Sequence, residues 1–93
     1  MTSAHSILIV DDDHSGRTML ALILRQSGYK IKTAPGGVEA LGILQNESFE
    51  WMITDARMLP VNGFDLSREA KRLRPNMRVL MVSAVSTETD IQG

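Results

Sequence analysis

Three short apolar runs in this chain end abruptly in polar groups. Ile7-Leu-Ile-Val10 runs into Asp11-Asp12-Asp13, Trp51-Met-Ile-Thr54 into Asp55, and Val79-Leu-Met-Val82 into Ser83. Each predicts a strand, and the lack of polar alternation in Ile7 to Val10 predicts that this one is covered on both faces, as parallel strands require. Lys30 to Ala34 is more polar and predicts an edge strand. Between these runs the apolar period changes to that of a helix. His14 to Ser27 carries Met19, Leu20, Ile23 and Leu24 as a stripe, with Asp12 or Asp13 available as a cap and Gly28 as the stop. Leu22 widens that stripe beyond what one sheet contact needs, which predicts a second neighbour on that flank. Pro35-Gly36-Gly37 turns the chain into a helix from Val38 to Asn46, with Ala40, Leu41 and Leu44 on its buried side. A loop from Ala56 to Asn62 leads to a third helix, Phe64 to Leu73, with Leu66, Ala70 and Leu73 at helical spacing. Pro75-Asn76 ends it. A strand follows from Arg78 to Val82, and Ser86 to Asp90 resembles the first turn of a fourth helix. Strands alternating with helices predict an α/β protein with an open parallel sheet and right-handed crossovers.

Composition narrows the picture without redirecting it. The 93 residues are 43% apolar and 23% charged, ordinary for a globular protein, and the length predicts a single domain over residues 1–93. A net charge of −1 gives no electrostatic case for nucleic acid or an anionic membrane. The absence of cysteine excludes disulfides, thiolate catalysis and zinc-thiolate sites. Met1 to His5 lacks the layout of a signal peptide, and no apolar run is long enough for a membrane span, so the expected location is cytoplasmic. Arg68, Lys71, Arg72, Arg74 and Arg78 interleave with Leu66, Ala70 and Leu73, the pattern of a solvated helix face rather than of a nucleic-acid surface. Met19, Met52 and Met81 are expected to fill the core. Trp51 is expected to pack far from Asp55, His14 to face solvent, and His5 to lie in a loose terminus.

Ligands of open parallel sheets bind at the carboxyl ends of the strands, so the three polar ends are expected to meet. Asp11, Asp12 and Asp13 brought near Asp55 repel one another unless something positive intervenes. A hard divalent cation with oxygen ligands is the natural remedy, and magnesium held by one or two carboxylates fits it. Screened in this way, Asp55 can attack phosphorus in line and become an aspartyl phosphate. Ser83 can donate its hydroxyl to a phosphoryl oxygen, and the backbone N–H groups of Ala56 and Ala84 can do the same.

Ile7-Leu-Ile-Val-Asp-Asp12, Asp55 at a strand end, Pro60 and Gly63 in the loop after it, and Val82-Ser83-Ala84 together resemble the receiver domain of two-component response regulators. The resemblance implies a flavodoxin-like sheet in the order 2-1-3-4-5. This chain would lack the last strand and helix, leaving 2-1-3-4 and a domain incomplete at its C-terminus. It implies that Asp55 is the phospho-acceptor and that Asp12 and Asp55 ligate Mg2+ directly. Asp11 would ligate through water, the Arg57 carbonyl would be a further ligand, and Ser83 would be the switch hydroxyl. Asp13 falls at a variable position of the family and stays outside the core site. Leu59 stands where the family usually has proline, with Pro60 one place later. The implied partner is a sensor histidine kinase or a histidine phosphotransfer protein. A lysine that would hold the phosphoryl group by charge falls beyond Gly93. Without a fifth strand and helix, the fourth strand and first helix would be exposed, which predicts self-association, domain swapping or a longer chain.

Two other functions compete. Asp11-Asp-Asp13-His-Ser15 also resembles the haloacid-dehalogenase phosphatases, with Asp11 as nucleophile and Asp13 as acid/base. That enzyme reading leaves Asp55 and the Pro60/Gly63 loop unused. A partial or degenerate receiver would act only as an interaction module. Taken singly, Asp11 to Asp13 would read as a helix-capping acidic loop, Asp55 as a turn former and Ser83 as a capping serine. Their ordered combination favours a phospho-acceptor domain over a turnover enzyme.

Overall fold

The computed structural model describes residues 5–58 and 60–82. Four parallel strands form one sheet in the order β2-β1-β3-β4. They are β1 (Ser6–Val10), β2 (Lys30–Ala34), β3 (Trp51–Asp55) and β4 (Arg78–Val82), and α1 (His14–Gln26), α2 (Gly37–Asn46) and α3 (Gly63–Leu73) join them. The elements match the sequence reading to within a residue at each end. The predicted fourth helix lies outside the described residues.

Alternation along the strands splits the core in two. Leu8, Val10 and Met52 face α2 and α3, packing with Ala40, Leu44, Leu66 and Ala70. Ile7 and Ile9 face α1 and meet Ala21, with Leu20, Leu24, Ile31 and Ile53 alongside. The central strands are therefore apolar on both faces. β2, at the edge, exposes Lys30 and Lys32.

Helix α1 corrects one expectation. Leu20, Ala21 and Leu24 turn to the sheet, whereas Met19, Leu22 and Ile23 stay at least half exposed. Met19 is 60% exposed and is not core filler, and Met81 is only partly buried; Met52 is in the core as expected, joined there by Met58 and Met77. The reason is helical geometry: at 3.6 residues per turn Leu20, Leu24 and Ala21 share one arc that meets the sheet, and Leu22, Met19 and Ile23 share the arc that turns away from it. Leu80 and Val82, on the α1 side of β4, are also partly exposed.

Local chemistry fixes the helix ends. Asp13 is the N-cap of α1 and accepts from the Gly16 N–H at 2.9 Å. At the other end Gly28 takes φ +97°, a left-handed conformation that favours glycine. Its N–H reaches the Arg25 carbonyl at 3.0 Å, and the Tyr29 N–H reaches that of Leu24 at 3.1 Å, the paired bonds of a Schellman ending. Asn62 caps α3 by accepting from the Asp65 N–H at 2.8 Å.

The basic residues of α3 are occupied within the fold. Arg68 pairs with Asp65 and Arg72 with Glu69, while Lys71 donates to the Met77 carbonyl and Arg74 to that of Leu44. His5 departs from the expected loose terminus, because it pairs with Glu50 and its ring lies 6.0 Å from that of Tyr29.

Candidate functional site

Strand register brings the acids together. Val10 lies opposite Thr54 in the β1–β3 pairing, so the next residues, Asp11 and Asp55, leave adjacent strand ends. The sheet order reverses between these two strands, which is where open α/β sheets take ligands. Asp11, Asp12 and Asp55 each offer a carboxylate oxygen, and the three oxygens lie within 4.8 Å of one another. Asp55 is 5% exposed, Asp11 is partly buried and Asp12 faces solvent.

Both strand ends use the same local device. The Asp13 N–H donates to Asp11 Oδ1 at 2.9 Å, and the Arg57 N–H donates to Asp55 Oδ1 at 3.1 Å. Each carboxylate thus closes a turn onto the backbone two residues ahead. Its second oxygen meets no donor among the described residues. Burial raises the Asp11 carboxyl above its ordinary value of 3.8, the hydrogen bond from Asp13 opposes this, and the charges of Asp55, Asp12 and Asp13 add to it. Three crowded carboxylates with negative charge to spare are a donor set that suits a hard divalent cation.

Asp13 stands apart from this group, with its carboxylate turned back to cap α1. The phosphatase alternative needs that group as an acid/base. The Ala56 N–H, offered by the sequence to a phosphoryl oxygen, instead donates to the Val82 carbonyl at 3.0 Å, continuing the β3–β4 ladder. Arg57 is exposed beside Asp55. Ser83 and Ala84 lie outside the described residues.

The loop after Asp55 is held close by Gly63. Its N–H donates to the Ala56 carbonyl at 3.1 Å. A Cβ there would lie 2.8 Å from the Ala56 Cα and would collide with the Asp55 carbonyl oxygen. The helix start can lie against the acid-bearing strand end because this residue has no side chain. A hollow of about 460 Å³, lined by Asp12, Ala56, Arg57, Met58, Asn62 and Phe64, opens beside the acids. Another of about 290 Å³, at the opposite end of the sheet, is lined by His5, Glu50, Trp51, Asn76 and Arg78, with the Arg78 guanidinium 5.6 Å from the Trp51 ring.

Sequence reasoning missed Arg17. Its Nη1 donates to the Asp11 carbonyl at 2.7 Å and its Nη2 to His14 Nδ1 at 3.0 Å. A basic residue in the first turns of a helix carries no local sign of such a reach.

Comparison with known proteins converges on one family. The model of the response regulator receiver domain matches residues 7–93. The transcriptional regulatory protein ZraR of Escherichia coli (strain K12) is 37% identical over 88 residues, which are 94% of this chain and 20% of that protein. This chain spans about a fifth of the length of the curated relatives it matches. A CheY-like receiver domain protein from Methanospirillum hungatei JF-1 superposes with a TM-score of 0.85 at 33% identity, covering 96% of this chain and 72% of that one. A response regulator protein from Burkholderia pseudomallei, solved with a phosphorylated aspartic acid, a calcium ion and citrate, gives a TM-score of 0.81 at 28% identity, covering 95% and 52%.

Proposed function

Because the chain belongs to the family of response regulator receiver domains, we propose that Asp55 accepts a phosphoryl group from a phosphohistidine on a sensor kinase or phosphotransfer protein. The observation that carries this is the convergence of Asp11, Asp12 and Asp55 within 4.8 Å at the ends of adjacent strands. The phosphorylated aspartate and calcium ion of the Burkholderia pseudomallei protein lend support from a similar fold.

Asp12 and Asp55, with the Arg57 carbonyl and with Asp11 through water, would hold Mg2+. Bound there, the ion supplies positive charge that lowers repulsion between the acids and an incoming phosphoryl group. The chain's own residues do the rest. The Arg57 N–H holds Asp55 Oδ1, which orients the carboxylate and leaves Oδ2 to attack. An O–P bond forms as the P–N bond of the phosphohistidine breaks, and the electron pair passes to the imidazole nitrogen, which takes up a proton. In this reading the Ser83 hydroxyl and the Ala84 N–H meet phosphoryl oxygens, and the Ala56 N–H could join them only by leaving Val82. The hollow beside Asp12, walled by Met58 and Phe64, gives the donor its approach. The domain acts as a phospho-acceptor rather than as a turnover enzyme. A cytoplasmic location, a transcriptional output as in the named relatives, and self-association through the apolar side chains exposed on α1 and β4 belong to the same proposal.

The test is to incubate the chain with Mg2+ and acetyl phosphate and to map any hydroxylamine-labile phosphoryl group by mass spectrometry. Labelling at Asp55 that Asp55→Asn abolishes is the expected outcome. Labelling at Asp11 would point to the phosphatase chemistry, and no labelling would leave an interaction module.

A further inference from the structure

Arg17 is partly buried and turns its guanidinium back toward the end of β1. Asp11 is the first residue after that strand, and its backbone is tied at two points. Its N–H donates to the Ala34 carbonyl at 3.2 Å, and its carbonyl accepts from Arg17 Nη1 at 2.7 Å. A charged planar fork makes a strong, directional bond to such an oxygen. The peptide from Asp11 to Asp12 is planar, so holding the Asp11 carbonyl also fixes the orientation of the Asp12 amide and the place of its Cα. The Asp13 N–H bond to Asp11 Oδ1 at 2.9 Å holds the peptide on the other side, so that together they limit the direction in which the Asp12 side chain leaves the chain. Asp12 depends on this. Among the described residues no hydrogen bond holds its exposed carboxylate, whereas Asp11 and Asp55 each close a turn on a backbone N–H.

We propose that Arg17 is a positioning residue for the cation site, acting through the Asp11–Asp12 peptide to keep the Asp12 carboxylate within reach of Asp11 and Asp55. This rests on the reading of those acids as a divalent-cation site. Two effects of Arg17 have opposite signs. As a positive charge near the acids it repels a dication, so on charge alone its removal would tighten binding. As the anchor of the Asp12 backbone it supports binding, so its removal would weaken it.

A titration of the 93-residue chain with Mn2+ alone, following free Mn2+ by its paramagnetic resonance signal, separates the two. Arg17→Met removes donor and charge, Arg17→Gln keeps a donor without charge, and Arg17→Lys keeps both with poorer geometry. The expected order of affinity is wild type, then Lys and Gln, then Met, with Met weaker than wild type by about tenfold, the usual effect of losing a partner behind a metal ligand. Circular dichroism melts without Mn2+ report whether each variant folds, and the comparison of Gln with wild type stands if Met does not. The exposed Arg68→Ala variant should bind as wild type does. Equal or tighter binding by the neutral variants would overturn the role of Arg17. If wild type itself bound no Mn2+, the cation site would fall and this inference with it.

Discussion

Asp11 binds its proton more tightly folded than unfolded, and this ties part of the stability to pH. Its folded pKa is raised above the ordinary 3.8, chiefly by burial and then by the charges of Asp55, Asp12 and Asp13 against the Asp13 hydrogen bond. Between the two values the native state holds more of the proton than the unfolded state does, so this group's contribution falls as pH rises through that window. Asp11→Asn should therefore melt a few degrees above wild type at pH 7. The gap should shrink as pH falls toward and below 3.8, where Asp11 carries the proton in the folded and the unfolded state alike. Thermal melts of the two proteins across that range check it, and a gap that widens in acid would contradict the cause given. Gly63 shows another residue-scale constraint. Its glycine is required by the carbonyl it lies against, since φ there is not positive.

At the scale of elements, caps and sites use the same residue types for different ends. Asp13 and Asn62 close helix starts by accepting from the Gly16 and Asp65 N–H groups. Asp13→Ala should cost about 1 kcal/mol in urea unfolding, as for a lost N-cap, while acetyl phosphate labelling of Asp55 persists. Labelling lost at unchanged stability would instead put Asp13 in the chemistry. Helix α1 was legible in its limits and less so in its orientation. The stop at Gly28 follows from local conformational preference, but which of the apolar residues from Met19 to Leu24 face the sheet depends on which arc of the helix docks there, and that is a tertiary choice.

At the scale of the whole molecule, binding at the acids should couple to folding. A ligand that binds only the folded state stabilises it by about 2.7 kcal/mol at one hundred times its dissociation constant. Added Mg2+ should thus raise the melting temperature of wild type, and Asp12→Asn and Asp55→Asn should each reduce the rise. A scanning fluorimetry series in Mg2+ checks this, and equal shifts in all three proteins would move the ion elsewhere. The alternation of elements and the ends at Asp11 and Asp55 were readable from the chain because strand period, helix period and punctuation by Gly and Pro are local properties. So was the presence of four acids fit for a cation site. Which three of them meet was not readable from period and spacing, and only the resemblance to the receiver family singled out Asp11, Asp12 and Asp55 and set Asp13 aside. Their meeting depends on β3 lying beside β1 in the register that sets Val10 opposite Thr54, and on Asp13 being taken up by the helix it precedes. The return of Arg17 to the Asp11 carbonyl likewise exists only once α1 has docked, because it joins groups six residues apart that no helical spacing would pair.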